Sequence, residues 1–158
     1  MHLDRDHPSN RGVLEYFSRN TGESRNTGER AHLFQPITDP AASKPQSGSH
    51  PEIVDYLWDT LASALPVECR ALVCGRAVLV APVRGIIFAV PLGTEYGLRL
   101  PPTEFEAARS TGAKVVHNYS TVGVTLDLAE RFGPHWLFGT FDRREPEWCR
   151  AALKFAEL

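Results

Sequence analysis

Ala77-Val-Leu-Val-Ala81, Pro82-Val-Arg-Gly85, Ile86-Ile-Phe-Ala-Val90, Pro91-Leu-Gly-Thr94 and Glu95-Tyr-Gly-Leu-Arg-Leu100 follow one another in the middle of the chain. Two apolar runs of five residues are each followed by a four-residue segment carrying Pro and Gly. Apolar runs this short, bounded by turn residues, read as strands. Gly85 is free to take the positive φ that a tight turn requires. In the third segment Tyr96, Leu98 and Leu100 alternate with other residues, which places them on one face of a strand. The connections are too short for a crossover, so the three strands form an antiparallel meander.

Helical signals flank the meander. Upstream, Ser49-His-Pro-Glu52 is a capping box with Pro51 in the first turn, and Ile53, Val54, Leu57, Trp58, Leu61 and Leu65 recur at helical spacing until Pro66. Downstream, Pro101 and Pro102 lead into a second capping box, Thr103-Glu-Phe-Glu106. Phe105, Ala108 and Ala107 supply the inner face of this helix, and Gly112 is a natural stop. Residues 113–132 stay ambiguous. Lys114 to His117 suits a strand, and residues 125–132 suit either a short helix through Leu128, Ala129 and Phe132 or an extended segment through Val124, Leu126 and Leu128. After the Gly133-Pro134 break, His135 to Phe141 reads as a strand with Trp136 and Phe138 on one side. Asp142-x-x-Glu145 and Pro146 open a last helix, with Trp148, Ala152 and Phe155 on one stripe and Cys149, Leu153 and Ala156 beside it. The expectation is a two-layer α+β domain over 49–158, an antiparallel meander sheet with helices packed on one face.

Residues 1–48 read differently. Gly, Ser, Pro, Asn, Thr and charged residues dominate, including a tandem pair, Arg19-Asn-Thr-Gly-Glu23 and Arg25-Asn-Thr-Gly-Glu29. Such a composition buries too little apolar surface to offset ordering costs, so the segment is expected to be a disordered polar tail. Two apolar islands interrupt it, Val13-Leu14 with Tyr16 and Phe17, and Leu33-Phe34. They are candidate docking motifs for an unidentified protein partner.

Composition narrows the function classes. The formal net charge of −2 gives no general basic excess, so nucleic-acid binding is not favoured, although a local patch of Arg76, Arg84, Arg99, Arg143 and Arg144 would contact nucleic acid or an acidic partner if these residues cluster. Cys69, Cys74 and Cys149 are the only cysteines, an odd, low count that points to a reducing compartment. With no signal-peptide pattern and no apolar run long enough for a membrane span, the expectation is a cytoplasmic protein without membrane association.

No catalytic, cofactor or metal set is identified. Cys69 and Cys74 are loosely spaced and no second pair follows, and Cys74 and Cys149 sit in apolar stretches that suit small buried side chains. His117 or His135 could act as a base with Cys69, Ser120 or Asp127 around it, but no nucleophile-elbow motif is present. Glu104 and Glu106 suit the dipole of a helix first turn. Phe132-Gly-Pro-His-Trp136 suggests a buried indole anchor. A candidate ligand pocket would join His117, Tyr119, His135 and Trp136.

The stretch from Arg76 to Leu100, with its turn at Arg84-Gly85 and its ending Tyr96-Gly-Leu-Arg-Leu-Pro-Pro-Thr-Glu104, resembles small domains of the MmcQ/YjbR type and the N-terminal domain of TfoX/Sxy competence regulators. Leu98-Arg99-Leu100, Trp136 and the helix from Pro146 stand where those domains carry an apolar-basic-apolar strand, a Trp-bearing strand and a C-terminal helix. Val73-Cys74-Gly75-Arg76 stands near the position of the Met-Phe-Gly-Gly signature of the TfoX type. The resemblance covers most of 50–158 and implies an α+β sandwich with no catalytic set. Three functions follow as expectations: a non-enzymatic interaction or regulatory module, a weak DNA-binding accessory protein, or a small-molecule binder or enzyme built around His117, His135 and Trp136.

Overall fold

The computed structural model describes residues 2–19, 34–36, 63, 65–73, 76–93, 95–121, 123–139 and 145–158. Its centre is the expected meander. Strands β1 (Phe34–Pro36), β2 (Arg70–Val73), β3 (Arg76–Val80), β4 (Ile87–Leu92) and β5 (Glu95–Arg99) pair in sequence order, and β8 (Trp136–Gly139) pairs β5 at the far edge. Every pairing in this six-stranded sheet is antiparallel. A separate ribbon joins β6 (Tyr119–Thr121) to β7 (Val124–Leu126). The helices are α1 (Pro8–Arg19), α2 (Pro102–Arg109), α3 (Leu128–Phe132) and α4 (Glu145–Glu157). This is an α+β fold with an antiparallel sheet, as the sequence indicates.

The turns lie close to their expected places, with two changes of detail. Gly85, at φ 69°, closes the β3–β4 turn, and Gly93, at φ 59°, closes the β4–β5 turn. Pro91 is not in a turn. Strand β4 runs through it to Leu92, with Pro91 opposite Tyr96. The β3 partners of β4 are Ala89 and Ile87, so Pro91 lies beyond that ladder, where a missing N–H is tolerated. Between those partners Phe88 is an extra residue, a bulge that turns it to the same side as Ala89.

The second capping box does not form. Pro101 occupies the cap position of α2 with no side-chain cap, and the helix starts at Pro102, where the ring is pre-set for a first turn. Residues 124–132 satisfy both sequence signals in succession: β7 is extended, then Asp127 caps α3 by accepting the Glu130 N–H at 3.1 Å. Lys114 makes only an isolated bridge to Phe138. The helix expected over Ser49–Leu65 lies outside the described residues, apart from Ser63 and Leu65.

The layers differ from the one-face arrangement expected. Both faces of the sheet are covered, and β3 and β4 are buried along their whole length. On one face Ala77, Leu79, Phe88, Tyr96 and Leu98 pack with Ala108 of α2 and with Trp148, Cys149, Ala152 and Ala156 of α4. On the other face Val78, Val80, Ile87 and Val90 pack with Val13, Leu14, Tyr16 and Phe17 of α1 and with Leu128 and Phe132 of α3.

This corrects the expectation of a free tail for residues 2–19. Asn10, Val13, Leu14 and Phe17 recur at helical spacing and all are buried. Val13, Leu14 and Phe17 therefore serve their own core and are not partner contacts. Phe34 is half-buried on edge strand β1, beside the same cluster. Leu33 and the tandem repeat beyond Arg19 lie outside the described residues.

A clamp holds this arm in place. Asn10, fully buried, donates from Nδ2 to the Gly85 carbonyl at 2.8 Å and to the Asp4 carbonyl at 2.7 Å. Its Oδ1 accepts the Ile87 N–H at 2.9 Å. The Asp4 N–H donates to the Gly85 carbonyl at 3.0 Å, so the first residues lie along the β3–β4 turn. A buried amide with all these partners fixes α1 against the start of β4, because any shift would strand a buried polar group.

Candidate functional site

The candidate site is a groove of about 750 Å³ between α1 and the segment from His117 to α3. Arg11, Gly12 and Glu15 line one wall, and Asp127, Glu130 and Arg131 the other, with His117, Asn118 and Thr125 at one end. Its position follows from a close approach. A Cβ on Gly12 would collide with the Arg131 backbone carbonyl, so only glycine lets the two helices meet at this depth. Arg131 Nη1 donates to Glu15 Oε1 at 2.8 Å and ties the walls together.

His117 Nδ1 lies 3.3 Å from Asp127 Oδ2, with the imidazole two-thirds exposed. The Asp127 carboxyl is held below its usual range, chiefly by the Glu130 N–H it accepts and then by His117. One carboxylate thus caps α3 and orients an imidazole. No nucleophile completes a catalytic set among the described residues. Ser120 and Thr125 hydroxyls pair with each other at 3.2 Å across the exposed ribbon. Cys69 is buried in the opposite core, where burial pushes its thiol up to about 12, and Cys149 beside it is pushed up to about 12 as well. Among the described residues no three His, Cys, Asp or Glu side chains gather as a metal site.

The four residues of the expected pocket do not converge. His117 is in the groove. Tyr119 is half-buried, with its ring 6.3 Å from Tyr16. Trp136 is only 2% exposed and packs edge-on against Phe132 at 5.3 Å and parallel to Phe138 at 6.2 Å. The indole is a core anchor and stacks on no ligand. His135 lies at the end of the sheet, its ring 5.0 Å from Phe155.

The arginines separate too. Arg76 is buried at the start of β3, its guanidinium 5.0 Å from the Phe17 ring and 6.0 Å from that of Tyr16. It holds α1 through cation–π contact and presents no surface charge. Arg84, in the β3–β4 turn, and Arg99, at the end of β5, share the opposite end of the sheet. Arg99 stacks on Phe155 at 4.4 Å and is shifted down by burial and then by Arg84. Arg143 and Arg144 lie outside the described residues.

Sequence reasoning missed Arg11 and Glu15 because their wall of the groove lies in the segment expected to be a polar tail, and it missed Glu130 and Arg131 because only that wall makes a groove beside them. The Asp127-Leu-Ala-Glu130 pattern was the available signal, since Asp followed three residues later by Glu marks a helix start. No helix among the described residues is long and apolar enough to cross a membrane. No family model, no curated protein and no solved structure matches the chain.

Proposed function

We infer that the protein is a non-enzymatic interaction module that holds a polar segment of a protein partner in the groove between α1 and α3. The observation that carries this reading is how the groove's reactive groups are engaged. Asp127 is committed to a helix cap and to His117, Glu15 to Arg131, and the nearby hydroxyls to each other. Covalent catalysis with His117 as base would need a nucleophile within hydrogen-bond reach. Recognition needs only donors and acceptors set along the trough, and Arg11, Asn118 and Glu130 supply them.

Peptide display against the full chain, followed by amide NMR mapping of the selected peptides, tests this. The expected result is saturable shifts at Arg11, Asn118, Thr125 and Glu130, weakened by Arg11→Glu. Shifts confined to other surfaces would contradict it, as would turnover of a bound peptide that depends on His117.

A weak DNA-binding accessory role is the second reading. It is favoured by the proximity of Arg84 to Arg99, and by the resemblance of Arg76–Leu100 to MmcQ/YjbR-type domains, many of which carry a DNA-binding label. The burial of Arg76 subtracts one of the contacts this reading needs. Binding to duplex DNA that weakens steeply with salt would support it, and no binding at low salt would remove it.

A further inference from the structure

At the end of the sheet opposite Arg76, three separate elements bring cationic or protonatable groups together. Arg84 comes from the β3–β4 turn, Arg99 from the end of β5, and His135 from the residue before β8. The Leu100 N–H donates to the His135 carbonyl at 2.9 Å, which locks the β5 and β8 ends side by side. Phe155 of α4 then serves both side chains, with the Arg99 guanidinium 4.4 Å from its ring and the His135 imidazole 5.0 Å from it. His7, on the arm that Asn10 clamps to this turn, feels the charge of both Arg99 and Arg84.

One donor of this cluster is left without a partner among the described residues. Arg99 Nη1 is buried and meets no hydrogen-bond acceptor among the described residues. A guanidinium flattened on an aromatic ring keeps its edge for planar or bidentate acceptors, and a second guanidinium beside it favours a ligand of more than one negative charge.

We propose that Arg84, Arg99 and His135 form an anion-binding site at this end of the sheet, and that its ligand is the phosphoryl group of a small phosphomonoester or free phosphate. Arg99, held on Phe155, provides the oriented donor. Arg84 adds the second charge, and His135 a further ring N–H at the rim. The site is distinct from the groove between α1 and α3 and does not depend on what the groove holds.

The test is amide and histidine-ring NMR on the full chain, titrated with inorganic phosphate and, separately, with phenyl phosphate, at constant ionic strength. The expected result is saturable shifts at Arg84 to Ile87, Arg99, Leu100 and the His135 ring, with the groove signals unmoved. Arg84→Ala, a turn substitution that leaves the stack on Phe155 intact, is expected to weaken binding about tenfold, the loss typical of one charge-assisted hydrogen bond. Arg99→Gln should abolish it. Tighter binding of phenyl phosphate than of phosphate would identify a phosphomonoester, and the reverse order free phosphate. Shifts that never saturate, or that are equal in Arg84→Ala and the parent, would overturn the proposal. Saturable shifts of these residues with duplex DNA but with neither small anion would also overturn it, and would assign the patch to nucleic acid.

Discussion

The two faces of the sheet are covered in different ways. One is covered by α4 and α2, which follow the meander in the chain and announce themselves through Trp148, Cys149, Ala152 and Ala156 at helical spacing. The other is covered by α1, which stands more than fifty residues before β3, with Gly-, Ser- and Thr-rich sequence between them. The strands themselves required both covers. Ala77–Ala81 and Ile86–Val90 are continuously apolar, and a strand with one wet face would alternate. The comparison teaches that a long polar stretch can hide the one amphipathic helix, about three turns long, that a sheet face needs.

The sharpest way to break this comparison is to remove one cover. Deleting residues 1–19 uncovers Val78, Val80, Ile87 and Val90 and discards five buried apolar side chains. At about 1.5–3 kcal/mol for each side chain, the loss is as large as the whole stability of an ordinary domain, about 5–15 kcal/mol. The truncated chain is expected to lose spectral dispersion and to bind a hydrophobic dye. A dispersed spectrum close to that of the full chain would show that α1 is dispensable.

Phe17→Ala is the next largest test. The ring is fully buried and lies under Arg76, so its loss should cost about 3–5 kcal/mol in denaturant unfolding. Asn10→Ala should cost less, about 1–3 kcal/mol, chiefly because the Ile87 N–H is left buried without an acceptor. It should also loosen the arm, seen as faster amide exchange at Asp4 and Gly85. At the surface of the same layer, Asp127→Ala should have the smallest effect, a slight fall in the unfolding midpoint from loss of the α3 cap.

A pH effect separates the layers further. The His7 imidazole is shifted below its ordinary 6.5, first by burial and then by Arg99, with Asp4 opposing. Its Nδ1 also accepts from the Ser9 backbone N–H at 3.2 Å, one of the unpaired donors at the start of α1. The folded state therefore binds this proton less readily than the unfolded state. Stability is fully present above pH 6.5 and is lost as pH falls through 6.5 toward the depressed folded value. His7→Gln should flatten that part of the pH profile of the unfolding midpoint. His135, also shifted down by burial and by Arg99, acts in the same direction.

The meander was legible because its evidence is local: apolar runs, Pro82, Gly85 and Gly93 specify strands and turns without reference to the rest of the chain. The last helix was legible for the same reason. What stayed hidden depends on distant partners. Arg76 looks like a surface cation until two rings from α1 are placed over it, and Asn10 looks like loop polarity until the Gly85 carbonyl and Ile87 N–H reach it. His117 and His135, eighteen positions apart, looked like one pocket, but β8 and the ribbon carry them to different sites. The groove was invisible for the same reason as the second layer, since α1 builds both.

Amide hydrogen exchange on the full chain tests the central claim, that α1 is a structural layer of the fold. Val13, Leu14 and Phe17 are predicted to exchange with protection approaching that of Val78 and Val90 on the sheet they cover. Exchange of those three amides at the rate of an unstructured peptide, while the sheet stays protected, would contradict it.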